Sequence, residues 1–192
     1  SILWLVFFER EEAVHPTPLR DTALIFIIGA LTTFIALAGQ MGVMQYYLEP
    51  NHIAQHSKIS IAIFAAIEEI LKFLFVYLIV KSRGILREPL DAMIYIITAS
   101  LGFAAVENIA ILVTQGGAIT SAIPLESAIL RTLGATLLHS VTAGVMGFHW
   151  AIGIIRHKFI AFHIIAGVVI ASALHCIFNY LTITTGPASW GI

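Results

Sequence analysis

Five long apolar stretches are the feature of this sequence that most limits its possible folds. They cover about residues 22–43, 59–80, 92–113, 127–155 and 160–181, and all six prolines lie outside them. Each stretch is long enough to cross a bilayer, which takes roughly 20 helical residues. Because only internally hydrogen-bonded helices and closed barrels are stable in lipid, the sequence predicts an all-α transmembrane bundle of five complete spans. We expect one domain over residues 1–192.

The composition agrees with a membrane protein. Hydrophobic residues make up 59% of the chain and charged residues 11%, whereas soluble domains carry roughly 25% charged residues. The mean hydropathy is +0.95. The net charge is −1 and no long basic run is present, so a nucleic-acid partner is not expected. The opening residues 1–8, "SILWLVFF", read like the tail of a longer apolar segment, and we expect them to be the end of an N-terminal span.

Basic residues between the stretches predict an orientation. Most lie in connections that would share one side of the membrane, namely Arg10, Arg20, Lys81, Arg83, Arg87, Arg156 and Lys158. The other side holds only Lys58. By the positive-inside rule the first set of connections is cytoplasmic.

Ionisable side chains inside the apolar stretches are the strongest functional signal. Glu68, Glu69 and Lys72 interrupt "IAIFAAIEEILKFLFVYLIV", and each of the next three stretches contributes one or more such groups, among them Glu107, His139 and His175. A charge at a helix centre costs about 2.5–3.5 kcal/mol on insertion scales. Pairing of Lys72 with one glutamate of its own helix would explain one carboxylate only. A shared functional site in the middle-to-outer half of the membrane is therefore favoured over a purely structural role.

Helical spacing adds further side chains to this layer. Phe103 precedes Glu107 by four residues, and Asn179 follows His175 by four, so each pair shares a helix face. Arg131 and Thr142 lie near the face of His139, and Asn108 follows Glu107 directly. The adjacent Glu68 and Glu69 point about 100° apart. We expect one of them to face the reaction centre and the other to hold Lys72 or a neighbouring helix.

This set of groups can activate water for attack on a carbonyl. A glutamate can act as general base and a histidine can donate a proton to the leaving amine. Asn179 or a second histidine can stabilise the oxyanion. The same layer could hold Zn²⁺, with Glu69, Glu107, His139 and His175 as candidate ligands. No HExxH pair is present, so such ligands would come from different helices. The residues alone leave metal-dependent and metal-free mechanisms open.

Four segments resemble, in order, the motifs of the PrsW intramembrane proteases. The first is "EEILK", which begins at Glu68. The second is "REPLDAMIYIITASLGFAAVEN", which ends at Asn108. The third is "RTLGATLLHSVTAGVMG", which carries Arg131, His139 and Thr142. The fourth is "HCIFNYL", which begins at His175. That family is similar to the CAAX-processing and bacteriocin-immunity membrane proteases.

The resemblance implies roles for the site residues. Glu68 and Glu69 would be the base and its partner, and Glu107 would stand where the CAAX enzymes have a histidine. His139 and His175 would complete the centre with Asn179, with Lys72, Phe103, Asn108, Arg131 and Thr142 in supporting positions. Metal dependence stays open, and Zn²⁺ is the candidate ion.

The resemblance also implies a substrate. It would be a membrane-anchored protein of the anti-sigma-factor type, cut on its extracytoplasmic side in a bacterial or archaeal cell membrane. Three other functions are considered. A CAAX-type protease of prenylated proteins would share the mechanism. A proton-coupled transporter would use the same residue types, although no repeat or proline-broken span is visible. A haem-binding subunit would leave three glutamates unexplained.

Overall fold

The computed structural model describes residues 17–116 and 125–185, except for the side chains of residue 112, residues 114–131 and residue 185. Within these residues the chain forms five long helices and no strand, which confirms the predicted all-α class. In chain order they are α1 (Leu19–Val43), continued by a π-helical turn (Met44–Leu48), then α2 (Lys58–Arg83), α3 (Pro89–Gly116), α4 (Leu125–Arg156) and α5 (Ile160–Thr185). The predicted end of an N-terminal span, residues 1–8, lies outside the described residues.

Four of the described helices are long and apolar enough to cross a membrane. These segments are Leu19–Leu48, Pro89–Ile111, Thr132–Arg156 and Ile160–Thr184. Helix α2 has 26 residues, which is sufficient length, but it carries Glu68, Glu69 and Lys72 near its middle. A fifth span through α2 therefore stays a prediction. The helices are those of a polytopic membrane protein.

Local sequence signals define where the helices begin and end. The Ser57 side chain accepts a hydrogen bond from the Ser60 N–H at the start of α2, as expected of an N-cap serine. Helix α2 ends at Arg83 and is followed by Gly84, whose φ of 62° is the left-handed conformation that glycine adopts readily. At the start of α3, the Asp91 carboxylate accepts the backbone N–H groups of Arg87 and Glu88 at 2.7 and 3.0 Å.

The helices pack as a ring in the order α1, α3, α4, α5, α2 and back to α1. Backbones approach closely where glycines lie at the crossings. A Cβ on Gly29 would meet the Ala99 carbonyl, and one on Gly102 would meet the Phe26 carbonyl, so α1 and α3 are in direct contact there. Gly147 packs in the same way against Met93 between α3 and α4. Small residues at such crossings are typical of membrane helices.

Aromatic side chains close the ring at one end. Trp150 of α4 packs edge-on against Phe73, with 5.4 Å between the ring centroids. It also packs against Tyr77 in a tilted arrangement, with 5.7 Å between the centroids. This cluster lies toward the end that carries the α2–α3 and α4–α5 connections. The ionisable side chains lie on the other side of it, inside the ring, while large apolar residues such as Leu31, Val113 and Ile165 are exposed on the outside.

Candidate active site

The two adjacent glutamates of α2 have different surroundings. Glu69 is fully buried and accepts hydrogen bonds from Lys72 Nζ at 2.6 Å and from His175 Nδ1 at 2.7 Å, both on Oε1. Glu68 accepts one from Gln40 Nε2 of α1 at 2.9 Å on Oε1. Its Oε2 is buried and has no hydrogen-bond partner among the described residues. Glu69 Oε2 is likewise buried without a hydrogen-bond partner among the described residues. The two glutamates therefore differ in their partners: Glu69 Oε1 binds Lys72 and His175, whereas Glu68 Oε1 binds Gln40.

His175 connects the two carboxylates. Because its Nδ1 contacts Glu69, its Nε2 is directed toward Glu68 Oε2, at 3.8 Å. Its ring meets that of His139 edge-on, with 5.1 Å between centroids. The imidazole of α5 thus lies between Oε1 of Glu69 and Oε2 of Glu68.

His139 of α4 bridges to the third carboxylate. Its Nδ1 lies 2.9 Å from Lys72 Nζ, and its Nε2 lies 2.7 Å from Glu107 Oε2. The Lys72 ammonium also lies 4.6 Å from the ring centre of Phe103. One continuous network therefore joins residues of α2, α3, α4 and α5, as the sequence predicted for acidic and imidazole groups from separate spans.

The supporting residues predicted from sequence lie at different distances from this network. Thr142 Oγ1 donates to the His139 carbonyl at 3.2 Å, and Asn108 donates to Thr136 Oγ1 at 3.1 Å, which ties α3 to α4. Asn179 is half-buried one turn beyond His175, and none of the network's hydrogen bonds between described residues involves it. The side chain of Arg131 lies outside the described residues.

Gln40 is a site residue that the sequence analysis missed. It is the only amide in the apolar stretch 22–43, and an amide in a membrane span is itself a signal of a buried partner. It contacts Glu68 and lines a cavity of about 240 Å³ beside it. The cavity is lined by Thr33, Ala36, Leu37, Gln40, Glu68, Phe103, Glu107, Ala110 and Ile111.

One carboxylate and two histidines form a group that could hold a metal ion. Glu68, His139 and His175 are all buried, and each offers a ligand atom within 4.8 Å of the others. The sequence analysis proposed Glu69 and Glu107 as ligands beside the histidines. In the structure these two hydrogen-bond to the histidines, and Glu68 belongs to the group instead.

Comparison with known proteins identifies the family. A family model described as "PrsW family intramembrane metalloprotease" matches residues 17–191. The chain belongs to the PrsW family. This confirms the resemblance drawn from the four motifs, and with it a membrane peptidase. No solved structure matches the chain.

Three proteins named Protease PrsW are similar to this PrsW-family chain. That of Geobacillus kaustophilus (strain HTA426) is 27% identical over 192 residues, which cover the whole chain and 79% of that protein. That of Shouchella clausii (strain KSM-K16) is 33% identical over 134 residues, 70% of the chain and 56% of that protein. That of Bacillus subtilis (strain 168) is 26% identical over 150 residues, 78% of the chain and 63% of that protein.

The residues at the centre fit the metal that the family description implies. Two histidines and one carboxylate are the donor set of several catalytic zinc sites, in which ligand atoms lie about 2.0–2.2 Å from the ion and hence at most about 4.4 Å from each other. The 3.8 Å between His175 Nε2 and Glu68 Oε2 meets that condition. His139 lies within 4.8 Å of both, but its two ring nitrogens contact Lys72 and Glu107, so one of these contacts would be replaced when the ion binds. The carboxylate of Glu69 on the other nitrogen of His175 is the outer contact typical of a metal-bound histidine. The buried, unpartnered Glu68 Oε2 is satisfied if it binds a cation.

Proposed function

We propose that this PrsW-family chain is an endopeptidase that hydrolyses a peptide bond of a membrane-anchored protein, using water activated by Glu68. One observation carries the proposal. Glu68 Oε2 and Glu69 Oε2 are both buried carboxylate oxygens without a hydrogen-bond partner among the described residues, and of the two glutamates Glu68 is the one that lines the cavity between α1 and α3. A carboxylate in this position can take a proton from a water molecule that occupies the cavity.

The other groups support that step. Glu69, held by Lys72, accepts from His175 Nδ1 and so leaves Nε2 facing the reacting water. His139, hydrogen-bonded to Glu107, is placed to pass a proton toward the leaving amine. Asn179, on the face of His175, is the candidate donor to the oxyanion.

A divalent ion bound by Glu68, His139 and His175 would polarise the scissile carbonyl and acidify a bound water. In that case Glu69 and Glu107 are the carboxylates that contact the proposed ligands, and of these two Glu107 lines the cavity. It contacts His139 at 2.7 Å, and its side chain is 29% exposed, so it can exchange protons with water in the cavity. Zn²⁺ is the candidate ion because its ligand types match.

The predicted topology and the family support a substrate class. The connections with most basic residues are proposed to be cytoplasmic, which puts the network nearer the outer face. A single-span protein of the anti-sigma-factor type, cut on its outer side, suits that placement. A prenylated CAAX-type substrate and proton-coupled transport are the alternatives.

The test compares purified variants on a single-span protein substrate in proteoliposomes. Glu68→Gln is expected to lower the cleavage rate by about 10²–10⁴-fold, the usual contribution of a general base. His139→Ala and His175→Ala are expected to do the same. His163→Ala is the matched control, because His163 is a half-buried histidine of α5 whose ring neighbours are His149 and Phe162 rather than the network.

Cleavage by all variants at the wild-type rate would refute the proposal. A prenylated peptide is tested in parallel, and cleavage of that peptide alone would favour the CAAX-type alternative. Proton uptake by the liposomes without any cleavage would favour a transporter.

A further inference from the structure

The cavity beside Glu68 lies in the wall of the ring between α1 and α3. These two helices touch where Gly29 meets Ala99 and Gly102 meets Phe26. Thr33 Oγ1 then donates to the Phe103 carbonyl at 3.3 Å. Beyond that contact, toward the C-terminal ends of both helices, the cavity separates them. It is therefore a gap in the wall that begins where the close crossing ends.

The gap connects the outside of the ring with the network. Leu37 on the α1 side is 42% exposed, and Ala110 and Ile111 on the α3 side are half-buried, so the mouth faces the membrane. At the inner end the lining consists of Glu68, Glu107 and Gln40. The lining is thus apolar at the mouth, and apart from Thr33, whose hydroxyl donates to the Phe103 carbonyl, its polar side chains are those next to the proposed chemistry.

We propose that this gap is the lateral entry for the substrate, and that its apolar part is the subsite for the side chain next to the cleaved bond. The proposal rests on the peptidase function proposed for the same centre, and it adds the place where a side chain of the substrate is recognised. The lining predicts an aliphatic residue at that position of the substrate, packed between Leu37, Ala110 and Ile111.

The size and polarity of the gap favour this occupant. Sites for drug-sized ligands usually measure about 300–1,000 Å³, and the cavity of about 240 Å³ is smaller. It has room for a side chain with its adjoining backbone rather than for a folded domain. An extended backbone inside a membrane needs partners for its polar groups, and Gln40 and Glu107 line the path at the level of the catalytic carboxylate.

Two substitutions change the size of the subsite in opposite directions. Ala110→Leu narrows it, and Leu37→Ala widens it. Each has a matched control on the outer face of α1, where the same exchange is made away from the cavity. Ala38→Leu is the control for the first, and Leu31→Ala, at a position 54% exposed, is the control for the second.

The assay first maps the bond that the wild type cuts in a single-span substrate by mass spectrometry. The residues flanking that bond are then changed, one at a time, to Ala, Leu or Phe. Pairs of these substrates compete for the enzyme in one sample. Because both substrates share the same enzyme molecules, the ratio of their cleavage rates does not depend on how much of a variant is folded.

Ala110→Leu is expected to reduce cleavage of the Phe substrate relative to the Ala substrate by about 10- to 200-fold, the range for small volume changes in apolar pockets. Leu37→Ala is expected to shift the ratio the other way, and both controls should keep the wild-type ratio. If the wild type cuts but neither cavity variant changes the ratio at either flanking residue, the subsite is wrong while the peptidase function stands. If the wild type cuts none of the substrates, the peptidase function itself fails.

Discussion

Lys72→Met is expected to destabilise the protein by about 3 kcal/mol. Lys72 and Glu69 are 1% and 0% exposed, and their charged atoms lie 2.6 Å apart. Removing one partner of a buried ion pair costs about 3–5 kcal/mol. Leaving one charge at a helix centre costs about 2.5–3.5 kcal/mol on membrane insertion scales. The two ranges overlap near 3 kcal/mol, and the lower end is expected because Glu69 keeps its hydrogen bond with His175.

This change lowers the ratio of folded to unfolded protein by roughly a hundredfold, since each 1.4 kcal/mol is a factor of ten. Methionine keeps most of the apolar stem of the lysine, so the loss reports the ammonium group and not a cavity. The assay is denaturant unfolding in detergent micelles, followed by circular dichroism. Lys81→Met is the control, because Lys81 is exposed in the last turn of the same helix and such changes are usually within about 0.5 kcal/mol.

The double variant Lys72→Met/Glu69→Gln tests the cause. Replacing both charges of a buried pair is often close to neutral, so the double variant should be more stable than the sum of the two single effects predicts. Wild-type stability of Lys72→Met would refute the reasoning. So would strict additivity, because it would mean that the two charges do not stabilise each other inside the ring.

Three further predictions concern the crossing of α1 and α3, the proposed metal and Gln40. Gly102→Ala should destabilise the protein by about 1–3 kcal/mol, because the new Cβ would meet the Phe26 carbonyl. Gly42→Ala is the control, because nothing lies within 4 Å of its Cβ position, and it should leave the stability unchanged. Equal thermal stability of the two variants would contradict this prediction. If Glu68, His139 and His175 hold Zn²⁺, chelation should stop cleavage and added Zn²⁺ should restore it. Glu69→Gln should then weaken metal retention, measured by elemental analysis, about 10- to 100-fold. A metal-free sample that cuts at full rate would rule out the metal-dependent mechanism. Gln40→Leu should lower kcat/KM by about 10- to 100-fold, because hydrogen bonds to charged groups contribute about 1.5–3 kcal/mol. Gln55→Leu is the control, because Gln55 lies in an exposed connection, and it should have no effect. Unchanged kinetics of Gln40→Leu would mean that Gln40 does not belong to the site.

The helices and the meeting of the ionisable groups could be predicted from sequence because both follow from lipid as a solvent. Each apolar stretch lies within a helix. All six prolines fall outside the stretches, and Pro89 is in the first turn of α3. Depth was harder to judge. Measured from the ends of the apolar stretches at residues 113 and 181, Glu107 and His175 lie only six residues deep, whereas His139 lies twelve residues from the start of its stretch at residue 127. In fact α3 runs on to Gly116 and α5 to Thr185, which puts both residues nine or ten positions inside their helices. An apolar stretch ends where polar residues begin, whereas the backbone hydrogen bonds of the helix continue beyond that point.

Which of Glu68 and Glu69 pairs with Lys72 could not be predicted from the sequence. Lys72 lies four residues from one and three from the other, so both pairings were open on the helix surface. Packing decides between them, because His175 of α5 approaches from the side of Glu69 and Gln40 of α1 from the side of Glu68. Gln40 was missed for a related reason. A lone amide in an apolar run has no periodic signal, and its meaning depends on which helix lies opposite.

The pattern of satisfied and unsatisfied groups itself indicates where chemistry occurs. Buried polar atoms are nearly always hydrogen-bonded, so an exception needs a reason. Glu69 has two donors on one oxygen, and His139 has partners on both ring nitrogens. In the same network the second oxygen of each α2 glutamate, Glu68 Oε2 and Glu69 Oε2, has none among the described residues, but of these two glutamates Glu68 is the one that lines the cavity. Of the two oxygens, that of Glu68 belongs to the carboxylate beside the lipid-facing gap, which is where a site that receives water, a cation or a peptide carbonyl would need an unpaired acceptor.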